Sequence, residues 1–117
     1  MSESTPAPVD LGRLREVSMG DPGFERVLLE AYLEESMALC AAIQEAIKAA
    51  DGNALSHAAH SLKGSSANVG AEEVRRIATV LERVELDADP DAAAILSTNL
   101  RAQLERLREF VAGYQPA

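Results

Sequence analysis

The sequence predicts an all-α protein, an antiparallel up-down four-helix bundle with a short additional N-terminal helix. Three observations carry this. Ala, Leu and Glu are abundant, aromatics make up 3% of the residues and Trp is absent, so good helix formers dominate over β-branched and aromatic runs. Apolar residues recur at steps of three and four over long stretches. No alternating strand pattern of useful length is present. A length of 117 residues suits one domain, and 47% hydrophobic residues can fill its core.

Residues 1–8 are small and polar and contain Pro6 and Pro8, which predicts a flexible arm before a helical domain over 9–114 and a short tail over 115–117. Leu11, Leu14 and Val17 predict a short first helix, ended at Met19-Gly20. Asp21-Pro22 is a helix start, with an N-capping carboxylate followed by proline at the first helical position. Phe24, Val27, Leu28, Ala31, Leu39, Ala42, Ile43, Ala46 and Ile47 then mark the apolar stripe of a long helix to about Ala50, broken by Asp51-Gly52. Asn53 is the candidate cap of a third helix running to about Asn68, with Gly70 as its stop. A fourth helix carries Val74, Ile77, Ala78, Leu81 and Val84, and Leu86 to Asp89 is the connection. Asp89-Pro90 repeats the earlier capping device. The last helix carries Leu96, Leu100, Leu104, Leu107 and Val111 up to Gly113. Short connections make sequential helices antiparallel neighbours.

Nineteen acids against 11 bases give a net charge of -8. No excess of Lys and Arg is available to neutralise phosphates, which argues against a nucleic-acid binder and against a polybasic membrane-surface module. No apolar run approaches the roughly 20 residues that span a bilayer, and the opening MSESTPAP lacks the pattern of a secretory signal. The single cysteine, Cys40, excludes an internal disulfide and fits a reducing cytoplasm. Its place within a helix favours packing over nucleophilic chemistry.

The third helix departs from the others. From Asn53 to Ala71 there is no carboxylate, and Lys63 is the only formal charge. Gly64 lies mid-helix, where it costs about 1 kcal/mol relative to Ala. Both histidines, His57 and His60, fall here. At about 100° per residue, Leu55, Ala59, Leu62, Ser66 and Val69 share the buried side, while His57, His60, Gly64 and Ala67 fall on the opposite side. Lys63 lies between the two. A neutral imidazole keeps an unprotonated nitrogen at neutral pH and can act as a nucleophile. Gly64 and Ala67 give a large partner clearance to deliver a group. If that group is phosphoryl, carboxylates would repel it and a lysine one turn away would attract it.

The run His60-Ser61-Leu62-Lys63-Gly64-Ser65-Ser66, with Gly70 following, resembles the signature of histidine-containing phosphotransfer (HPt) domains. The resemblance implies a phosphorelay intermediate that takes a phosphoryl group from a receiver-domain aspartate and passes it to another. It implies His60 as phosphoacceptor through its outer ring nitrogen, Lys63 as the nearby cation and Gly64 as the clearance residue. Ser65 or Ser66 would position the imidazole or the helix, and Gly70 would be the turn glycine. His57 occupies a position where the family varies. The family docks on receivers through an apolar patch, for which Leu11, Leu14, Phe24 and Ala67 are the candidates here. Partners would be receiver domains of response regulators or hybrid histidine kinases, met by a monomer in the cytoplasm. No cofactor is expected on this chain, since magnesium and the acids that bind it would belong to the receiver.

Other readings of the same residues are weaker. His57 and His60 could form half a metal site, but no further ligand lies near in sequence, so none is expected. Lys63-Gly64-Ser65-Ser66 lacks the Gly-Lys-Ser/Thr order and the upstream glycine of a phosphate-binding loop, and there is no nucleotide motif for self-phosphorylation. No Gly-x-Ser-x-Gly elbow is present. Arg75 and Arg76 read as solvated arginines. Two alternatives stay open: an adaptor that binds receiver or kinase domains without being phosphorylated, and a fragment of a sensor-kinase dimerisation bundle.

Overall fold

The computed structural model describes residues 7–114. Among them are five helices and no strand: α1 (Leu11–Ser18), α2 (Pro22–Lys48), α3 (Gly52–Val69), α4 (Glu72–Arg83) and α5 (Pro90–Gly113). Of the arm expected over 1–8, only Ala7 and Pro8 are described, and the expected tail over 115–117 lies outside the described residues.

Four of the five helices start on an aspartate. The side chains of Asp10, Asp21, Asp51 and Asp89 accept from the backbone N–H groups of Arg13 (3.1 Å), Phe24 (3.1 Å), Ala54 (3.0 Å) and Ala92 (3.2 Å). Each satisfies an orphan donor of the first turn. The third helix therefore starts one residue after Asp51. Asn53 lies inside that helix, exposed, and does not cap it. The reason is a tighter turn than the sequence suggests. Ala50 enters the left-handed region at φ 54°, so that the Asp51 N–H closes back on the Ala46 carbonyl at 2.9 Å and α3 can begin at once.

α2, α3, α4 and α5 pack in that cyclic order, with α5 returning to α2, and α1 lies against α2 and α3. The core between them is aliphatic. Leu14, Leu29, Ile43, Leu55, Leu62, Ile77, Leu81, Leu100, Leu104 and Leu107 are fully buried, at about 1.5–3 kcal/mol each for such a side chain. The last three belong to the predicted stripe of the final helix.

The buried side of α2 follows its apolar stripe only in part: Ile43 and Ala46 are buried and Leu28, Leu39 and Ile47 pack against the core, but the rest of the stripe does not. Glu25, Leu29, Tyr32, Ser36, Cys40, Ile43 and Ala46 face inward. Phe24, Val27, Ala31 and Ala42 are exposed. Polar residues on the inner side obscure the stripe, and each but one finds a partner. Glu25 accepts from the Tyr114 hydroxyl and pairs with Arg15 at 3.6 Å. Tyr32 and Ser66 hydroxyls are 2.6 Å apart. Ser36 Oγ is buried and has no hydrogen-bond partner among the described residues.

Candidate functional site

α3 packs against α1, α2 and α4, with α4 as its hairpin partner. Its Leu55, Ala58, Ala59, Leu62, Ser66 and Val69 are buried, which turns His60 outward, its side chain 66% exposed. The hairpin is set by Gly70. This residue sits at φ 69°, and a Cβ there would lie 2.4 Å from the Cβ of Asp10. Only glycine meets both conditions. The close approach lets the Asp10 N–H reach the Val69 carbonyl at 3.3 Å and fixes the start of α1 against the end of α3.

His60 and Glu82 are equidistant in sequence from Ala71, and the hairpin brings them together. His60 Nδ1 lies 2.8 Å from Glu82 Oε2, and Lys63 Nζ lies 2.6 Å from Glu82 Oε1. One carboxylate thus holds both side chains. Lys63 first, and then His60, keep the Glu82 carboxyl below the ordinary carboxylate range. An ionised carboxylate can only accept, so the ring proton belongs on Nδ1. In the neutral ring the lone pair is then on Nε2, the outer nitrogen.

The expectation that this helix face is clear of carboxylates is corrected here. α3 itself carries none, but α4 supplies one. The signal for it was available: Val74, Ile77, Ala78 and Leu81 fix the buried side of α4, and the turn at Gly70 then sets Glu82 opposite His60.

Gly64, one turn on from His60, is exposed, and nothing lies within 4 Å of the position a Cβ would take. Its clearance faces solvent rather than a packed neighbour. Ala67, the next residue on this side, and His57 are also exposed. The two serines do not reach the imidazole. Ser65 Oγ donates back to the Ser61 carbonyl at 3.1 Å, and Ser66 is buried on Tyr32. Arg75 and Arg76 pair with Glu72 at 2.6 Å and Glu73 at 2.7 Å within α4. Among the described residues no group of three or more His, Cys, Asp or Glu could hold a metal ion, and no helix is long and apolar enough to cross a membrane.

The proposed docking residues separate. Leu14 is fully buried and belongs to the core, which removes it from any docking surface. Helix α1 is short, and Leu14 is its fully buried apolar residue. Leu11 is half-buried, while Phe24 is 44% exposed, with Val27 and Met19 exposed beside it in sequence.

The model of the Hpt domain matches residues 27–110, a span that contains the whole of α3 and α4. The chain belongs to the Hpt domain family. Its fold is similar to the crystal structure of histidine-containing phosphotransfer protein B (HptB) from Pseudomonas aeruginosa PAO1. The TM-score is 0.81 at 26% identity, covering 93% of this chain and 94% of that one. No curated protein sequence gives a significant match. An Hpt protein is a phosphocarrier in two-component phosphorelays and works with receiver domains.

Proposed function

We propose that His60 is the residue of this Hpt domain that carries the phosphoryl group, on Nε2. The observation that carries the reading is the Glu82 bond to Nδ1, which leaves Nε2 as the ring's lone-pair nitrogen on an exposed face beside Gly64. The Nε2 lone pair attacks the phosphorus of a receiver's phospho-aspartate in line. The N–P bond forms as the acyl phosphate P–O bond breaks, and its electron pair returns to the aspartate carboxylate. Onward transfer is the reverse, with a second receiver's aspartate as nucleophile.

Positive charge develops on the imidazole as Nε2 attacks. Glu82 accepts from the Nδ1 proton and fixes the orientation of the ring, so it is a positioning residue for the acceptor. Lys63 is the cation for the phosphoryl oxygens. Magnesium and its ligands come from the receiver, and the phosphoryl group comes from the receiver's aspartate rather than from ATP. Phe24, Val27 and Met19, with Leu11 and Ala67, form the apolar contribution to docking. The chain acts as a cytoplasmic monomer.

The test is label transfer from a phosphorylated receiver domain. Wild type becomes labelled with an acid-labile, base-stable phosphoryl group, and His60→Gln does not. Labelling of His60→Gln at the wild-type rate refutes the assignment. Binding of receivers that survives His60→Ala, with no phosphoprotein formed by wild type, instead identifies an adaptor.

A further inference from the structure

We infer that Glu82 sets how readily His60 gives its phosphoryl group away, by competing with that group for Lys63. The inference rests on His60 being the acceptor. In the free protein both oxygens of Glu82 are engaged, one by His60 Nδ1 at 2.8 Å and the other by Lys63 Nζ at 2.6 Å. The three groups are then balanced: one carboxylate, one ammonium, one neutral ring. Phosphorylation adds a group of about two negative charges at neutral pH on the far side of the same imidazole. Among the described residues Lys63 is the cation paired with Glu82, and two anions now call on it.

Whichever anion Lys63 serves, the other stands uncompensated across the width of a ring. If Lys63 stays on Glu82, the phosphoryl group lacks its counter-ion. If it swings to the phosphoryl group, Glu82 is left ionised and facing a dianion. Either outcome raises the free energy of the phosphorylated state relative to the free one. The loaded carrier is therefore a ready donor. The side chain that orients the ring for acceptance also pushes the cargo towards the next aspartate. A glutamine at position 82 could still accept from Nδ1–H through its amide oxygen, but it would neither repel the phosphoryl group nor hold Lys63 by charge.

The other charged and titratable groups nearby do not supply this effect. His57 lies one turn before His60 on α3, with its side chain exposed. Arg83, next to Glu82 on α4, is also exposed. Arg75 and Arg76, further along α4, are engaged by Glu72 and Glu73.

The experiment uses the full chain and the receiver domain that exchanges label with it fastest in a side-by-side panel. The equilibrium ratio of phosphohistidine to phospho-aspartate is measured for wild type, Glu82→Gln, Lys63→Met and the double variant, at low and at high salt. Glu82→Gln is expected to shift the ratio towards phosphohistidine by about three- to tenfold, the size of removing one charge from a partly screened, exposed dianion. The shift should shrink as salt rises. Lys63→Met should move the ratio the other way, and the double variant should show non-additivity, since Lys63 transmits part of the effect. A ratio unchanged within twofold in Glu82→Gln, or moved towards the receiver, overturns the inference while leaving His60 as acceptor. Absence of acid-labile label on wild type overturns both.

Discussion

At the scale of single residues, the site works through what His60 touches and what it does not. The Nδ1 proton is held by Glu82, and the space beyond Gly64 is empty. Gly64→Gln should cut the transfer rate at least tenfold while leaving the thermal midpoint within a few degrees, because the added side chain projects into solvent and into the path of the partner. A matching loss of stability by calorimetry would show that Gly64 is packed. Glu82 offers a second check. Its pKa is depressed by Lys63 and then by His60. A depressed folded-state pKa means that the bridge persists at and above the ordinary carboxylate range and is lost only as pH falls through the lower folded value. Carbon-13 NMR should show the Glu82 carboxyl titrating below a reference glutamate, and Lys63→Met should return the midpoint upward.

At the scale of elements, the turns hold the helices in register. Gly70→Ala combines a positive φ with a Cβ overlapping Asp10 and is expected to cost more than about 2 kcal/mol in denaturant unfolding. Ala50→Gly is the opposite case. Ala50 already adopts φ 54°, so glycine relieves strain of about 1 kcal/mol, offset in part by the entropy of the unfolded chain. A small gain in stability is the expected result, and a loss would contradict the turn assignment. The aspartate–proline starts of α2 and α5 and the glycine stop of α3 were legible in the sequence because each is local chemistry. The start of α3 was not, because it depends on Ala50 entering a conformation that alanine rarely takes. The inner side of α2 was legible only in part, because Glu25 and Tyr32 are buried through contacts with α1, α3 and the residue after α5, none of which periodicity can show.

At the scale of the whole molecule, Glu25 fastens the two ends of the described chain. It takes Arg15 from α1 and the Tyr114 hydroxyl from the cap of α5, while Arg26 donates to the Tyr114 carbonyl. Glu25→Ala should therefore cost about 1–3 kcal/mol of global stability, the penalty for unpairing polar groups at a buried site. Hydrogen exchange should show the loosening first in α1. Uniform loosening would mean that the cluster does not fasten α1. The Hpt family and the helical-bundle architecture could be read at this scale from residues alone. The partner carboxylate was missed because it lies outside the window from Asn53 to Ala71 and reaches His60 only when α4 folds back on α3, a placement that needs the α4 stripe and the Gly70 turn read together.

The central claim is that Glu82 directs the phosphoryl group to Nε2 of His60. NMR of the phosphorylated chain, labelled with nitrogen-15 in its histidines, tests it most directly. The account predicts phosphorus coupling to Nε2 of His60 alone, with the ring proton on Nδ1. Coupling to Nδ1, coupling to His57, or a loaded protein with no phosphorus–nitrogen coupling would contradict it.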